Sequence, residues 1–542
     1  MSFLQNIFND ISLTKNISVW NDDEDSDKAN LRRIKLLSSY SICSFQQFLD
    51  QSKSSGRKND VLSNALLEKS KRSEKDLQLK LIQQALGFAP PGSNLDSVFR
   101  FRASKWFERH MFEYALFDLC EIQSKNKKDL ENIQLLQDKC ECSEKKKTKK
   151  TTIETQINFH KFLRNFSSSV NLGSSKKGGR FLVAGKNINP GELIADENSY
   201  AALLDRRYRE THCEFCLIKS EYLIPCLGCA SVYFCSVKCR AAATFHSSEC
   251  LLMDQIFKAD TGVWHLALRI VSGKPASYWA TKPYLEKLNS YSSNAISTVY
   301  NLVTHKDSGD IEAPVLMKEA LTALFYLRVL KTSGYFKNED SSSNELSSVE
   351  IEVGILLLHF MRVTFFNSHE VTELIGENVE KIGCCLNPSL ALINHSCDPN
   401  YARVMTGRRS LAFATRLIRK DEEISDVYSP TFFMVDRITR HDTTQRYNFI
   451  CECKPCIEGW KTEQKMSLNF IPLNPGDNID QLEKDIKLML SENWSQSLSL
   501  NAAIEEISKT LKDSHLRIEH PCKGVLQLEN LLHRLLWKFH CS

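Results

Sequence analysis

The chain has 542 residues, of which 42% are apolar and 25% are charged, and its formal net charge is +4. This is the composition of a globular protein, and the length predicts about three or four domains. Such a small positive charge gives no argument for nucleic-acid binding by itself. The longest apolar run, residues 353–366, includes His359 and Arg362 and is shorter than the roughly twenty residues of a membrane span. We interpret it as a buried helix.

The N-terminal half of the chain changes character several times. Residues 1–60 are polar, carry an acidic run at 21–27 and are predicted to be partly disordered. Residues 61–140 are rich in Leu, Lys, Glu and Gln, which predicts helices that break at APPG (89–92). The basic run SEKKKTKK (143–150) is interpreted as a solvated linker, with a nuclear address as the alternative.

Strand-like and helical stretches then alternate. Short strands with turns are predicted over 180–205, mostly helical structure over 251–383, and short strands again over 401–428. The last ~80 residues read as helices and end in an amphipathic stretch at 526–539. A strand-rich region that is interrupted and later resumed predicts one fold carrying two insertions.

Nineteen cysteines are the unusual feature of the composition. The N-terminus shows no basic start followed by an apolar core, so no secretory signal is predicted and disulfides are not expected. Metal binding is then the leading explanation, provided that the cysteine spacings agree.

A cysteine-dense block at 213–250 has metal-ligand spacing. Its four pairs are Cys213 and Cys216, Cys226 and Cys229, Cys235 and Cys239, and His246 and Cys250. Zinc takes four such ligands in a tetrahedron, so eight ligands predict two ions. A segment this short has too little core to fold without them. The alternative, buried free thiols, does not explain four regular pairs.

A second cluster contains only three cysteines, Cys451, Cys453 and Cys456. A structural zinc needs a fourth ligand, which must come from elsewhere in the chain. Our candidate is Cys397, in the stretch INHSCDPN (393–400). The alternative is that Cys397 is a small buried apolar side chain.

The order of pairs in the first block resembles the MYND zinc finger. By that resemblance the pairs interleave. Cys213, Cys216, Cys235 and Cys239 would hold one ion, and Cys226, Cys229, His246 and Cys250 the other. MYND fingers are modules that bind proline-containing peptides, so the resemblance implies protein partners.

Taken with this finger, several motifs resemble the SMYD family of SET and MYND domain-containing lysine methyltransferases. They are KGGRFLVA (177–184), NINPGELIADE (187–197), FFNSHEV (365–371), INHSCDPN (393–400), EEISDVYS (422–429) and RYNFICECKPC (446–456). The resemblance covers roughly residues 172–460. The N-terminal helices resemble, more weakly, the tetratricopeptide-like helices of one branch, SET and MYND domain-containing protein 4.

The resemblance implies an α+β fold. A SET β-core would carry an inserted MYND finger and a helical insertion, followed by a post-SET zinc and flanked by α-helical N- and C-terminal regions. The implied segments are the N-terminal helices (1–150), the first SET part (172–212), the finger (213–250), the helical insertion (251–383), the SET catalytic core (384–448), the post-SET zinc segment (449–460) and the C-terminal helices (461–542).

The implied reaction is methyl transfer from S-adenosylmethionine to a lysine of a histone or another protein, with three zinc ions bound. By motif match Tyr428 would be the catalytic tyrosine, facing the transferred methyl group. The implied cofactor-binding residues are Gly178, Gly179, Arg180, Asn367, Asn394, His395, Tyr447 and Phe449. For Asn367, a helix cap is an equally good interpretation. The implied metal ligands are the eight of the finger together with Cys397, Cys451, Cys453 and Cys456.

Two residues depart from the family pattern, which leaves a second function open. Phe181 replaces the second glycine of the cofactor strand and could weaken cofactor binding, with a side chain that points into the core as the alternative. Ser429 replaces the glycine after the catalytic tyrosine. The alternative function is a scaffold or transcriptional co-regulator with a catalytically weak SET domain. We expect a protein substrate, no membrane partner, no direct nucleic-acid binding, and a location in cytoplasm and nucleus.

Overall fold

The computed structural model of the chain describes residues 34, 45, 48–50, 57–144, 158–175, 179–285, 296–304, 313–336, 346–375, 378–447, 449–491, 494 and 498–541. The predicted site residue Gly178 and the acidic run at 21–27 lie outside these residues. So do most of the basic linker and most of the loop at 337–348. Within the described ranges, no helix combines the length and the apolar character that crossing a membrane requires.

The chain forms two compact units, each assembled from three separate segments. The first contains Met1–Glu154, Leu203–Ala280 and Glu312–Leu358, and the second contains Thr155–Ala202, Thr281–Ile311 and His359–Ser542. The interruption and resumption predicted from the sequence therefore has a structural counterpart.

The first unit begins with a series of helices. They are α1 (Asp60–Lys71), α2 (Lys75–Phe88), α3 (Ser93–Glu108), α4 (Phe112–Glu121) and α5 (Lys127–Glu144). Asn59 caps α1, because its side-chain oxygen accepts the Leu62 backbone N–H at 3.0 Å. The predicted break at 89–92 separates α2 from α3, where Gly92 has a φ of 103° that disfavours other residues.

The cysteine-dense block packs against these helices. It contributes β5 (Ile224–Pro225), β6 (Tyr233–Phe234), α6 (Val237–Ala242) and α7 (His246–Glu249). One hydrophobic cluster joins buried helix residues such as Leu86 and Phe99 to Phe234 of the block. At Gly87 a Cβ would collide with the Tyr233 hydroxyl, so helix and block approach too closely there for a larger residue.

A buried ion pair lies at the same contact. The Arg102 guanidinium donates to Asp118 at 2.9 and 2.6 Å and to the Leu223 carbonyl of the block at 2.7 Å. Both charged side chains are almost fully buried. Arg102 also lies 4.8 Å from the centre of the Tyr222 ring. The helices and the block therefore share polar contacts as well as a core.

The remaining helices of the first unit complete its core. They are α8 (Met253–Ala259), α9 (His265–Ser272), α10 (Ala276–Ala280), α12 (Ala313–Thr332) and the first half of α13 (Ser348–Asn367); α11 (Ile296–Tyr300) belongs to the second unit. The apolar run at 353–366 lies in α13 and is largely buried, as predicted. The chain passes into the second unit within this helix.

The second unit contains most of the β-structure. Its strands are β1 (Val170–Ser175), β2 (Gly179–Ala184), β3 (Leu193–Asn198), β4 (Ala201–Leu204), β7 (Ser368–Ile375), β8 (Asn378–Leu386), β9 (Asn394–His395), β10 (Tyr401–Thr406), β11 (Arg409–Ala414) and β12 (Glu423–Asp426). They form small sheets in the orders β1-β2-β12-β9, β10-β11-β3 and β4-β8-β7, and the chain crosses from the second unit into the first within β4.

One predicted segment needs correction. Residues 251–383 were predicted to be mostly helical, but the helices end at Asn367 and an antiparallel hairpin of β7 and β8 follows. In SHEVTELI the apolar residues Val371, Leu374 and Ile375 keep a helical spacing, so periodicity does not mark the end of the helix. The β-branched residues Val371, Thr372 and Ile375 nevertheless favour extended structure.

The C-terminal region is helical, as predicted. It contains α14 (Arg437–Thr444), α15 (Lys454–Ile457), α16 (Asp480–Met489), α17 (Leu500–Arg517) and α18 (Lys523–Cys541). The last three pack on the sheet of β10 and β11 through Val404, Leu411 and Phe413. His533 of α18 contacts the Arg403 carbonyl at 2.9 Å, so this helix lies directly behind β10.

Candidate functional site

Two groups of metal-binding side chains lie in the first unit. Cys213, Cys216, Cys235 and Cys239 form one, and Cys226, Cys229, His246 and Cys250 form the other; in each, the ligand atoms lie within 4.8 Å of one another. Ser236 helps to place Cys239, because its hydroxyl accepts the Cys239 backbone N–H at 3.1 Å. This is the interleaved grouping that the resemblance implies.

A third group lies in the second unit and is formed by Cys397, Cys451, Cys453 and Cys456. The structure thus brings the Cys397 sulfur to the C-x-C-x2-C cluster, where a fourth ligand was expected. Its backbone N–H donates to the Cys453 sulfur at 3.4 Å, and the Arg440 guanidinium lies 3.6 Å from the Cys456 sulfur. This position favours the interpretation of Cys397 as a ligand over that of an isolated apolar residue.

The distances within the groups fit zinc. A tetrahedral ion with Zn–S bonds of about 2.3 Å places its sulfur ligands roughly 3.8 Å apart. The observed S···S separations are 3.6 Å for Cys216 and Cys235, 3.7 Å for Cys226 and Cys250, and 3.6 Å for Cys397 and Cys456. A disulfide would need about 2.05 Å. Thiolate and imidazole are also the ligands that structural zinc prefers, so the residues present suit this ion.

The motif INHSCDPN is held against the end of β12. Strand β9 pairs in parallel with β12, with Asn394 opposite Ser425 and His395 opposite Asp426. Asn400 secures the same region, because its side chain donates to the Glu423 carbonyl and accepts the Ser425 N–H. The loop therefore has a fixed shape before any ligand binds.

The other polar residues of the motif also have partners. The Asn394 side chain donates to Glu423 at 3.1 Å. Asp398 pairs with Arg416 at 2.6 Å and with His520 at 3.0 Å. The motif therefore contacts β12 through Glu423, the segment after β11 through Arg416 and the segment before α18 through His520.

Tyr428 lies where the motif and β12 meet. Its hydroxyl donates to the Ile393 carbonyl at 2.6 Å, and its backbone N–H donates to His395 Nδ1 at 2.9 Å. Burial, reinforced by the Asp426 carboxylate, raises the pKa of Tyr428, and burial lowers the pKa of His395 to about 4. Near neutral pH the phenol therefore keeps its proton and the imidazole is neutral.

Aromatic rings surround this tyrosine. The ring of Tyr447 lies 5.1 Å from that of Tyr428 and the ring of Phe449 lies 6.5 Å from it, measured between centroids. His395 contributes a fourth ring at 5.4 Å from Tyr428. The aromatic faces form a wall that attracts cations and excludes water.

Two cavities border this wall. The larger, of about 1130 Å³, is lined among others by Gly179, Arg180, Asn394, His395 and Phe449. The smaller, of about 430 Å³, is lined by residues that include His369, Arg403, Asp426 and Ser429. Both cavities share Phe366, Asn367, Ala391, Tyr428 and Tyr447. Every predicted site residue that the structure describes in the second unit, metal ligands apart, therefore borders one cavity or both.

The glycine-containing strand borders the larger cavity with its backbone. Gly179 has a φ of 66°, and a Cβ there would meet no atom within 4 Å. Phe181 lies elsewhere, because its ring packs on Gly173 of β1, where a Cβ would come within 2.8 Å of it. Phe181 is not among the described residues that line the cavity. These contacts argue against the weakening of cofactor binding considered from the sequence.

Asn367, at the end of α13, borders both cavities. Its amide donates to the carbonyls of Val363 and Val303 at 2.8 Å each. The amide N–H groups are thus engaged in holding the helix end to a neighbouring segment of the same unit, which favours the structural interpretation of this residue.

Sequence reasoning missed three residues of the smaller cavity, His369, Arg403 and Asp426. Arg403 Nη1 lies 3.7 Å from Asp426 Oδ2. It also missed Glu197, a buried carboxylate that accepts the backbone N–H groups of Ser389 and Leu390 just before Ile393. The residues are far apart in the sequence, and no spacing connects them.

Most residues that border these cavities lie in a region that matches a known domain family. The family model described as the SET domain matches residues 179–429, a range that contains Gly179, the INHSCDPN motif and Tyr428. The first unit's cysteine block lies inside this range as an insertion.

The chain is similar in sequence to several proteins named as lysine methyltransferases. The chain is 26% identical to "N-lysine methyltransferase SMYD2-A" of Danio rerio, over 54% of this chain and 60% of that protein. It is 25% identical to "Histone-lysine N-methyltransferase SMYD3" of Homo sapiens, over 63% of this chain and 74% of that protein. It is 24% identical to "Protein-lysine N-methyltransferase SMYD4" of Pongo abelii, over 54% of this chain and 47% of that protein.

The chain is therefore similar to proteins named as members of the SMYD family. The three identities are nearly equal, so the branch is not distinguished. The chain spans about 60% of the length of SMYD2-A.

Proposed function

We propose that the chain is a protein-lysine N-methyltransferase that uses S-adenosylmethionine. The observation that carries the proposal is the pair of cavities that share one aromatic wall at Tyr428 and Tyr447. Two reactants held in adjoining cavities that share lining residues can be positioned close to each other, which removes much of the entropy of bringing them together. We assign the larger cavity to the cofactor and the smaller to the lysine side chain.

When bound, S-adenosylmethionine supplies a methyl group on a positively charged sulfur. Gly179 and Arg180 would contact one end of the cofactor, where glycine permits close backbone approach. Asn394 and His395 would contact it through a loop of fixed shape, and Phe449 would cover it. Gly178, which lies outside the described residues, stays a predicted contact.

The Tyr428 hydroxyl is directed at the Ile393 carbonyl and stays protonated, because burial raises its pKa. Its role would be to orient the reacting groups and not to remove a proton. A free lysine amine has a pKa of about 10.4 and must be neutral to attack a methyl group. A narrow aromatic wall that excludes water favours the neutral amine.

We further propose that the three cysteine-containing groups each hold a structural zinc ion, and that the two-ion block binds proline-containing peptide partners as a MYND finger. The finger assignment supports the first proposal, because the family combines this module with the catalytic fold. Tetratricopeptide-like architecture of the N-terminal helices, and a location in cytoplasm and nucleus, stay predictions from the sequence.

The scaffold alternative depends on a cofactor cavity that is closed. The contact of Phe181 with Gly173 argues against closure. Ser429 remains in favour of the alternative, because it replaces a glycine next to Tyr428 and borders the smaller cavity.

The test is methyl transfer from radiolabelled S-adenosylmethionine to a library of lysine peptides, each paired with a peptide in which arginine replaces the lysine. We expect label in a subset of the lysine peptides and in none of the arginine peptides. Label in both sets, or in neither, would overturn the proposed function.

A further inference from the structure

The smaller cavity contains a charge pair that an aromatic lysine channel does not require. Arg403 lies on β10 and Asp426 is the last residue of β12, and their nearest side-chain atoms are 3.7 Å apart. The side chain of Asp426 is 8% exposed and that of Arg403 is 22% exposed. Two charges removed from water are expensive to maintain unless they have a use.

The pair is close to the proposed reacting centre. Asp426 precedes Tyr428 by two residues, and its carboxylate is the largest influence after burial in raising the Tyr428 pKa. Burial, together with the same carboxylate, raises the pKa of Tyr401. The carboxylate therefore acts electrostatically on both phenols.

The cavity wall also has unused hydrogen-bonding capacity. Within the described part of the chain, the buried atoms Arg403 Nη1 and His369 Nδ1 have no hydrogen-bond partner. Buried polar groups usually have partners, so two unpartnered atoms on residues that line one cavity mark its wall as polar. At 3.7 Å the Arg403–Asp426 contact is longer than a good hydrogen bond, which leaves both groups able to bind a polar group in the cavity.

We propose that the Arg403–Asp426 pair determines the specificity of the smaller cavity for a cationic side chain. Asp426 receives the ammonium group of the incoming lysine, and Arg403 limits how strongly Asp426 holds that group in its protonated form. This inference rests on the proposed function and adds the residues that select its substrate. Aromatic faces alone attract any cation, whereas a carboxylate also discriminates against a neutral side chain of similar length.

The two charges should have opposite effects on the pH dependence of methyl transfer. Removing Arg403 leaves the carboxylate unopposed, so it stabilises the lysine ammonium and raises the pH needed for the neutral amine. Removing the charge of Asp426 has the opposite effect. The other titratable groups facing the pair from neighbouring elements are His369, Cys385, His395, Tyr401, Tyr428 and His533.

The variants are Asp426→Asn, Arg403→Gln and the double variant Arg403→Met with Asp426→Leu. Single changes leave one buried charge without its partner and could unfold the chain, whereas the double variant removes both charges together. A matched control is Asp196→Asn, which breaks the pair of Asp196 with Arg409 at 2.7 Å in the β10-β11-β3 sheet that also contains Arg403. Folding is checked by thermal melting and by zinc content.

The measurements are the KM and kcat for one lysine peptide across pH, with calorimetric S-adenosylmethionine affinity on the same samples. For Asp426→Asn and the double variant we expect KM to rise about tenfold, with kcat and cofactor affinity within about threefold of the unmodified chain. For Arg403→Gln we expect the rising limb of the pH–rate profile to move up by about one unit. Asp196→Asn should change neither quantity.

If the folded double variant keeps the original KM and its preference for lysine over glutamine in the same peptide, the proposal is overturned. An unmoved pH profile in folded Arg403→Gln would overturn the part assigned to Arg403. If the unmodified chain binds the cofactor but labels no lysine peptide, the proposed function fails, and this inference fails with it. The control variant and the unmodified chain therefore distinguish a failure of the proposed specificity residues from a failure of the proposed methyltransferase function.

Discussion

Replacing Arg102 by methionine should destabilise the first unit severely. Arg102 donates to Asp118, to the Leu223 carbonyl and to Gln83, and the side chains of Arg102 and Asp118 are 1% and 0% exposed. Breaking a buried pair by removing one partner typically costs about 3–5 kcal/mol, because the other charge is left uncompensated. That is a large part of the stability of an ordinary domain.

A double variant distinguishes the contribution of the ion pair to stability from the contribution of side-chain packing. Arg102→Met together with Asp118→Leu removes both charges and should recover most of the loss, because apolar replacement of a buried pair is often neutral. Lys105→Met is the matched control on the same helix. It removes a partly exposed pair with Glu108, where we expect a loss below about 1 kcal/mol.

The assay is equilibrium urea denaturation of the zinc-loaded chain, followed by tryptophan fluorescence, for all four proteins. The Arg102→Met penalty should shrink as the pH falls, because protonation removes the unpaired charge of Asp118. If Arg102→Met and Lys105→Met lose the same free energy, or if the double variant is as unstable as the single one, the reasoning about this buried pair is refuted.

Three further outcomes are expected. Tyr428→Phe should reduce methyl transfer at least a hundredfold while zinc content stays unchanged, because only the hydroxyl bonded to Ile393 is lost. Methyl-transfer assays on the folded variant check this prediction, and full activity would contradict the site assignment. Cys456→Ser should lower bound zinc by one ion per chain. Cys522 is a buried cysteine outside the three ligand groups, so Cys522→Ser should leave the zinc content unchanged. Metal analysis of both variants is the measurement, and equal zinc contents would contradict the third zinc site. Burial raises the pKa of Glu197 from 4.5 to about 7. Between these two pH values the folded chain binds more protons than the unfolded chain. The free energy of unfolding should therefore fall with rising pH by about 3 kcal/mol through this group. Urea denaturation at pH 5 and 7.5 should show that slope in the unmodified chain and not in Glu197→Gln, and identical slopes would contradict the assignment.

The metal sites could be predicted from the sequence because their chemistry imposes short, regular spacings. The C-x2-C and H-x3-C pairs gave the two groups of the finger, and the three-cysteine cluster required a fourth ligand that Cys397 supplies. Their interleaving required the family resemblance, since spacing does not determine which pairs meet.

Other features depend on tertiary contacts that a single sequence does not show. Arg403 and Asp426 are 23 positions apart, and the sequence alone predicts that each is a charged residue on the surface. The orientation of Phe181 depends on Gly173 across a hairpin, so its distance from the cofactor cavity could not be predicted. The hairpin at 368–386 was missed because it directly continues a long apolar helix.

The central claim is that the larger cavity binds S-adenosylmethionine, and calorimetric titration of that cofactor into the zinc-loaded chain tests it most directly. Zinc is counted on the same sample, and Asn394→Ala serves as a variant of the cavity wall. The account predicts micromolar binding with three zinc ions per chain, weakened at least tenfold by the variant. Three zinc ions without detectable cofactor binding would contradict it and favour the scaffold function.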